Sequence, residues 1–504
     1  MSEQISVTVN GAVLKAAPNT LISDILRMEK PCGGHAKCGK CKVFVSGNLS
    51  EPGESEKRIL TKSELAAGIR LACCTHAVGD CTVITSVTNG VERIVTDSEI
   101  TPGELHPRFE KYGISVDVGT TTVAARLFDS SGKLRAEACA INPQQAHGAD
   151  VISRIEAALG GHSQDLARLI RSKLDELTLR LADKAGISTE DIDGLVITGN
   201  SVMLSLLTEE SVLSFSRAPF KILRPFGETL AASELGLSSL LPTTRVYLPP
   251  CISAFVGADI SCAILAAALT DKSCAMLADI GTNGEIALSS DGRLLVCSTA
   301  AGPAFEGVGI GHGMRAADGA IDKVAAVNGK LEAHVIGNCE AVGICGSGLI
   351  DAAAALIELG ILDESGYLEG GKATLADAVT LTQNDIRMLQ LAKSAVCAGI
   401  VTLINEAGID ISDVSTLYVA GGFGNYLSSE SAAKTGLLPS DLARRISAVG
   451  NAALAGASML LLDRTLTEKI EKIAKVAETV ELHGNPIFTE SYTYGMIFCE
   501  VDNV

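Results

Sequence analysis

Three cysteines crowd into ten residues of PCGGHAKCGKC: Cys32, Cys38 and Cys41, spaced C-x5-C-x2-C, with Cys73 and Cys74 following in LACCT. Thiols at this density point to a metal. An iron–sulfur cluster needs four converging thiolates, and Gly33, Gly34 and Gly39 let backbone N–H groups turn toward the sulfurs. Structural zinc is the competing reading, since C-x2-C is a common zinc half-site, but a second C-x2-C pair is missing. Gly34 to Cys41 also fits G-x-x-x-x-G-K, yet it ends in Cys where a P-loop needs a hydroxyl for magnesium.

A second chemistry sits at Val116 to Thr122, VDVGTTT. Gly119 permits a sharp turn and close backbone approach, Thr120 and Thr121 offer hydroxyls and N–H groups to phosphate oxygens, and Asp117 at the strand end is placed to hold magnesium through water. The pattern returns at Ala278 to Glu285, ADIGTNGE, where Asp279, Gly281, Thr282 and Asn283 take the same places. A further turn follows each copy, SSGKL and SDGRL. A duplicated strand–turn–strand unit implies two related halves that face each other across one nucleotide, ATP.

Three more glycine-bearing stretches suit that ligand. Ser298 to Asp322 is rich in Gly and Ala and carries Glu306 in its middle. CGSGLID places Gly346 and Ser347 at a helix start, where N–H groups and the helix dipole favour an anion. The apolar strand in LYVAGGFGNYL runs into Gly421, Gly422 and Phe423, an exit that admits a flat group such as adenosine against the backbone.

The elements that position these residues are legible from periodicity. Ile5 to Val9 alternates as a strand with a return at Val13 to Ala16, and Leu21 to Met28 has helical spacing. Gln164 to Lys184 and Gln383 to Ala407 read as long helices, Leu195 to Leu207 as strand, glycine turn and helix capped near Asn200 and Ser201, and Gly450 to Asp463 as a packing helix. Gly90 to Lys111, polar and carrying Pro102 and Pro107, reads as a linker.

The whole chain narrows the classes. With 504 residues, 47% of them hydrophobic, it can bury several cores, filled by aliphatic residues because only 4% are aromatic and none is Trp. A formal charge of −18 disfavours nucleic-acid and anionic-membrane partners, which need a basic footprint. No signal-like start is expected, and no apolar run long enough to span a bilayer, Ile252 to Leu269 being broken by Asp259. A cytoplasmic protein follows, whose fifteen cysteines are mostly small core residues, Cys74 and Cys81 included.

The cysteine spacing resembles ferredoxins with a 2Fe-2S cluster, being one residue longer than the plant-type loop. Those domains place the fourth ligand in an L-A-C segment, which selects Cys73 over Cys74. The remainder resembles the ATPase superfamily of acetate and sugar kinases, Hsp70 and actin: Asp117 to Thr121 and Asp279 to Glu285 match its phosphate motifs and Val419 to Phe423 its adenosine motif. More narrowly, AGPAFEG, GICGSGLID, TQNDIRMLQLAKSA and AGGFGNYL resemble the reductive activators of corrinoid proteins. The implied fold is α/β multidomain: a 2Fe-2S ferredoxin-like (β-grasp) domain at 1–90, a linker at 91–112, and a duplicated, two-lobed ATPase with lobes at 113–272 and 273–504.

That resemblance implies one-electron reduction of an inactive Co(II) corrinoid methyltransfer protein to Co(I), driven by ATP and Mg2+. Asp117, Asp279 and Glu306 would be catalytic, Glu306 orienting the attacking water. An external low-potential donor would refill the cluster, and a homodimer is compatible with the sequence. Two other readings keep the same parts: an ATP-driven donor to another low-potential enzyme such as a 2-hydroxyacyl-CoA dehydratase, and a small-molecule kinase with a redox-sensing domain.

Overall fold

The computed structural model describes residues 4–9, 12–26, 36, 41–60, 65, 68–84, 105–421 and 423–501. Cys32, Cys38, Gly422 and most of the expected linker lie outside the described residues.

The first unit is one sheet. Strand β1 (Ile5–Val9) pairs antiparallel with β2 (Ala12–Ala16) and parallel with β6 (His76–Ile84); β6 also pairs with β3 (Thr20–Leu21) and β4 (Lys42–Leu49), and β4 carries β5 (Ile69–Leu71) at the edge. Alternation in β1 sends Ile5 and Val7 into a core with Ile22, Val43, Leu71, Ala77 and Val83. Glu56, on the short helix Glu54–Ile59, is buried. Arg70 holds it with two bonds, Nε to Oε1 at 3.0 Å and Nη2 to Oε2 at 2.7 Å, while the Leu71 N–H and the Thr75 hydroxyl also donate to it. Burial alone would push this carboxyl up, but Arg70 and the surrounding N–H donors outweigh it and hold it below its ordinary value. The clamp fixes the segment that carries Cys73.

The remaining chain folds into two lobes of one design. In the first, β7 (Tyr112–Val118), β8 (Thr122–Asp129) and β9 (Leu134–Ile141) form an antiparallel meander; β10 (Ile192–Gly199) lies parallel beside β7, β11 (Glu228–Ala231) is an edge, and β12 (Arg245–Leu248) lies parallel beside β10. The second repeats it with β13 (Cys274–Ile280), β14 (Gly284–Ser290) and β15 (Arg293–Thr299). A small ribbon, β16 (Ala320–Val327), β17 (Lys330–Val335) and β18 (Gly343–Ile344), and the hairpin β19 (Lys372–Ala376) and β20 (Val379–Thr382) are inserted before β21 (Leu417–Ala420) and β22 (Ile446–Gly450) extend the main sheet in parallel; β23 (Ala477–Thr479) closes its far edge.

Each lobe has its own core, and a third cluster joins them: Val196, Tyr247, Ile260 and Leu265 of the first lobe meet Leu277, Val296, Leu460 and Leu461 of the second. Helices Ala258–Ala266 and Ala452–Leu462, each following a parallel strand of its lobe, β12 and β22, cross at this seam. A Cβ on Gly456 would stand 2.1 Å from the Cys262 carbonyl oxygen, so the crossing requires glycine.

Helix Gln383–Ala407 starts in a capping box between Thr382 and Asp385 and ends at Gly408 in the left-handed conformation. Its 25 residues are long and apolar enough for a bilayer, which corrects the expectation that no run reaches that length; 83% of its apolar window is buried inside the protein.

Candidate functional site

Both Asp-x-Gly-Thr turns open into one cleft between the lobes. Asp117, Gly119, Thr120, Thr121, Asp279, Gly281, Thr282, Asn283, Glu306, Gly346, Ser347, Gly421 and Phe423 all line it. Of the nucleotide-site residues expected from sequence, Gly422 alone lies outside the described residues.

The first turn is tight and fastened from several sides. A Cβ on Gly119 would stand 2.8 Å from the Thr122 carbonyl oxygen. The Asn142 side chain donates to the Gly119 carbonyl at 2.9 Å, and the Asn142 N–H and Gln145 Nε2 donate to that of Thr121 at 2.9 and 3.3 Å. In the second turn the Gly281 N–H donates to the Asn283 carbonyl at 3.0 Å. Glu306 spans the two: it accepts from Thr121 Oγ1 through Oε2 and from Thr282 Oγ1 through Oε1 at 2.9 Å, and the two hydroxyls are 3.3 Å apart. One carboxylate thus joins residues 161 positions apart in the chain.

Glycine shapes the opposite wall. A Cβ on Gly346, at the start of helix Gly346–Glu358, would meet the Phe305 carbonyl oxygen at 2.2 Å. Gly421 turns with φ +89 directly beyond β21, within reach of Asp279, and Phe423 stacks on Phe305 with ring centroids 4.8 Å apart.

The cleft holds more acid than the motifs announced. Asp259 and Glu285 join Asp117 and Asp279, Glu285 through its register opposite Asp279 on β14. Burial pushes Asp117 up to about 6 against one stabilising bond from Asn451. Burial, then repulsion from Asp117 and Glu306, pushes Asp279 up to about 7. Burial and their acidic neighbours raise Asp259 and Glu285 as well. Four carboxyl groups at one floor cannot all ionise without a compensating cation, so this donor set fits a hard divalent ion such as magnesium.

Asn451 had no role in the sequence reading, and Asn200 only that of a helix cap. Both follow a glycine at a strand end, in the pairs Gly199–Asn200 and Gly450–Asn451, and both cap a helix through Oδ1. Their Nδ2 atoms turn back to the first motif, Asn200 to Thr120 Oγ1 at 3.1 Å and Asn451 to Asp117 Oδ2 at 3.0 Å. The repeated Gly-Asn was the available signal. Asp259 offered none beyond interrupting an apolar run.

In the first unit Cys41 and Cys73 are buried with their sulfurs 3.2 Å apart. Cys74 is half-buried, its sulfur 3.7 Å from that of Cys73, and Cys81 is buried in the sheet core. Two thiols facing one another across β4 and the Leu71–Thr75 segment fit a pair of ligands on a single tetrahedral iron, where about 2.3 Å metal–sulfur bonds set the sulfurs roughly 3.7 Å apart.

A two-lobed nucleotide cleft joined to a ferredoxin-type thiol site defines an ATP-binding iron–sulfur protein. Residues 112–272 match the RACo middle region, 273–503 the C-terminal ASKHA domain of RACo, and 7–78 the 2Fe-2S iron-sulfur cluster binding domain. The corrinoid activation enzyme RamQ of Eubacterium limosum is 35% identical over 419 residues, 77% of this chain and 70% of that protein. A [Co(II) methylated amine-specific corrinoid protein] reductase of Methanosarcina barkeri is 28% identical over 395 residues, 72% of each. The solved structure of a reductive activator for corrinoid,iron-sulfur protein superposes with a TM-score of 0.74 at 26% identity, covering 98% of both chains. The chain belongs to the RACo family of corrinoid-protein reductive activators.

Proposed function

We propose that this chain is an ATP-dependent reductive activator that returns an inactive Co(II) corrinoid methyltransfer protein to Co(I). Cys32, Cys38, Cys41 and Cys73 would hold a 2Fe-2S cluster, which would supply the single electron. The observation that carries the reading is the bridge from Glu306 to both Thr121 and Thr282 over a floor of carboxylates, in a chain that also brings Cys41 and Cys73 together.

Thr120, Thr121, Thr282 and Asn283, with the N–H groups of the turns at Gly119 and Gly281, hold phosphate oxygens, and Gly346 and Ser347 present a helix N-terminus to the same charge. Asp117 and Asp279, with Asp259 and Glu285, would hold Mg2+. Glu306 orients the attacking water once phosphate displaces the threonine hydroxyls from it. Gly421, Gly422 and Phe423 receive the adenosine.

Because Thr121 and Thr282 belong to different lobes, a nucleotide that engages both favours the closed cleft. The energetic need is explicit: each 59 mV is a factor of ten for one electron, and a plant-type 2Fe-2S centre near about −400 mV falls short of a more negative cobalt couple. ATP makes up that shortfall through its different affinity for the states before and after electron transfer to the docked partner. An external low-potential donor would restore that electron.

The test is anaerobic: this protein, a chemical reductant and a Co(II) corrinoid methyltransfer protein are mixed, ATP and Mg2+ are added, and the cobalt spectrum is followed. Co(I) that appears only with ATP is the expected result. An intact, reducible cluster with unchanged cobalt across several corrinoid partners would assign the electron to another low-potential acceptor.

A further inference from the structure

Among the described residues, outside the cleft and the cysteine site, one group of side chains has the composition of a metal site. The donor atoms of His147, His162 and Asp165 all lie within 4.8 Å of one another. His162 Nδ1 is 3.7 Å from Asp165 Oδ2, and the two imidazole rings stand 4.9 Å apart, tilted by 40°.

Backbone irregularity brings them together. His147 ends the short 3-10 turn Pro143–Ala146, directly beyond β9. His162 ends the segment Ala158–His162, which kinks at Gly161 with φ 101, and Asp165 sits in the first turn of helix Ser163–Ala185. Without that break at Gly161, helix Val151–Ala157 would continue and carry His162 along its own axis; the break re-aims the ring across the loop. Asp165 is oriented as well: Arg168 donates to Oδ1 at 2.8 Å, and Oδ2 is the oxygen directed at His162. Carboxylates that bind metal through one oxygen are commonly steadied through the other.

We propose that His147, His162 and Asp165 form a surface site for a divalent first-row transition ion of the zinc class. Two imidazoles and a carboxylate are a recurrent three-ligand set for such ions, leaving positions for water or a fourth ligand. Tetrahedral binding at about 2.1 Å sets donors roughly 3.4 Å apart, so the group closes by rotamer adjustment of half-exposed side chains. The ion would pin the loop after β9 to the helix Ser163–Ala185. That loop also carries Asn142 and Gln145, which fasten the Thr121 turn.

The experiment is calorimetric titration of Zn2+ into the full-length, cluster-loaded protein under anaerobic conditions, with millimolar Mg2+ present to occupy the acidic cleft and iron content checked before and after. The expected result is one equivalent bound with a micromolar or tighter Kd and a raised thermal midpoint. In His147→Ala, His162→Ala and Asp165→Asn the affinity falls at least tenfold and the thermal shift is lost, while the exposed control His483→Ala behaves as wild type. Binding weaker than about 100 µM, or affinity unchanged in the His147 and His162 variants with iron content preserved, overturns the site.

Discussion

Glu306 is the residue on which both turns depend. Glu306→Gln keeps the size of the side chain and can still receive the threonine hydroxyls, so the fold and nucleotide affinity should persist, while ATP hydrolysis should fall by about 10²-fold or more for loss of a base-like group. Hydrolysis at the wild-type rate would remove Glu306 from the chemistry. Asp279→Ala should abolish ATP-dependent cobalt reduction while the visible spectrum of the cluster persists, since Asp279 belongs to the cleft and not to the sheet that carries Cys41 and Cys73. Retained coupling there would sink its assignment to the magnesium site. The same carboxylates predict a pH dependence. Asp117 and Asp279 rise from 3.8 to about 6 and about 7, so the ion-free folded protein binds more protons than the unfolded chain between roughly pH 4 and 7. Their contribution is therefore most favourable at low pH and is lost as pH rises through the folded values. Mg2+ must displace those protons, so it should raise the melting temperature little at pH 5.5 and markedly at pH 8. An equal rise at both would mean that these carboxylates do not hold the ion.

At the scale of elements, the crossing of helices Ala258–Ala266 and Ala452–Leu462 sets how the lobes meet, and Gly456 sets how closely. Gly456→Ala places a methyl against backbone, which cannot move aside as a side chain can, so overpacking of about 1–3 kcal/mol should appear as a lower melting temperature. Because Asn451 caps the same helix and reaches Asp117, nucleotide affinity should weaken with it. An unshifted melting temperature would show that the helices separate without cost. How much of this level was readable varies by element. Helix Gln383–Ala407 was found to the residue, because a capping box and a left-handed glycine mark its ends. The acidic role of β14 was not, because Glu285 reaches the cleft only through its pairing with Asp279.

For the whole molecule, the ferredoxin-type sheet shares no hydrophobic cluster with the lobes among the described residues: its core runs from Ile5 to Val83, and the four others contain none of those residues. The chain enters the lobes by docking Arg108 on helix Ala452–Leu462, where Nε donates to the Leu460 carbonyl at 2.8 Å and the N–H to that of Leu461 at 2.9 Å. A fragment from 105 to 504 should therefore fold and bind ATP with near wild-type affinity, yet give no Co(I). Failure of that fragment to bind nucleotide would show that the two units depend on each other for folding.

The sequence by itself determined the parts that are local: the thiol spacing, the duplicated Asp-x-Gly-Thr turns, the glycine-bearing strand exits and the capped helices, each of which encodes its geometry within a few residues. Only the tertiary structure decided the rest. Glu306 joins Thr121 to Thr282, Asp259 and Glu285 complete the acidic floor, Asn451 reaches back 334 positions to Asp117, and a glycine break turns His162 toward His147. These relations arise where separate elements converge, and a distance in space between distant residues leaves no periodic trace along the chain.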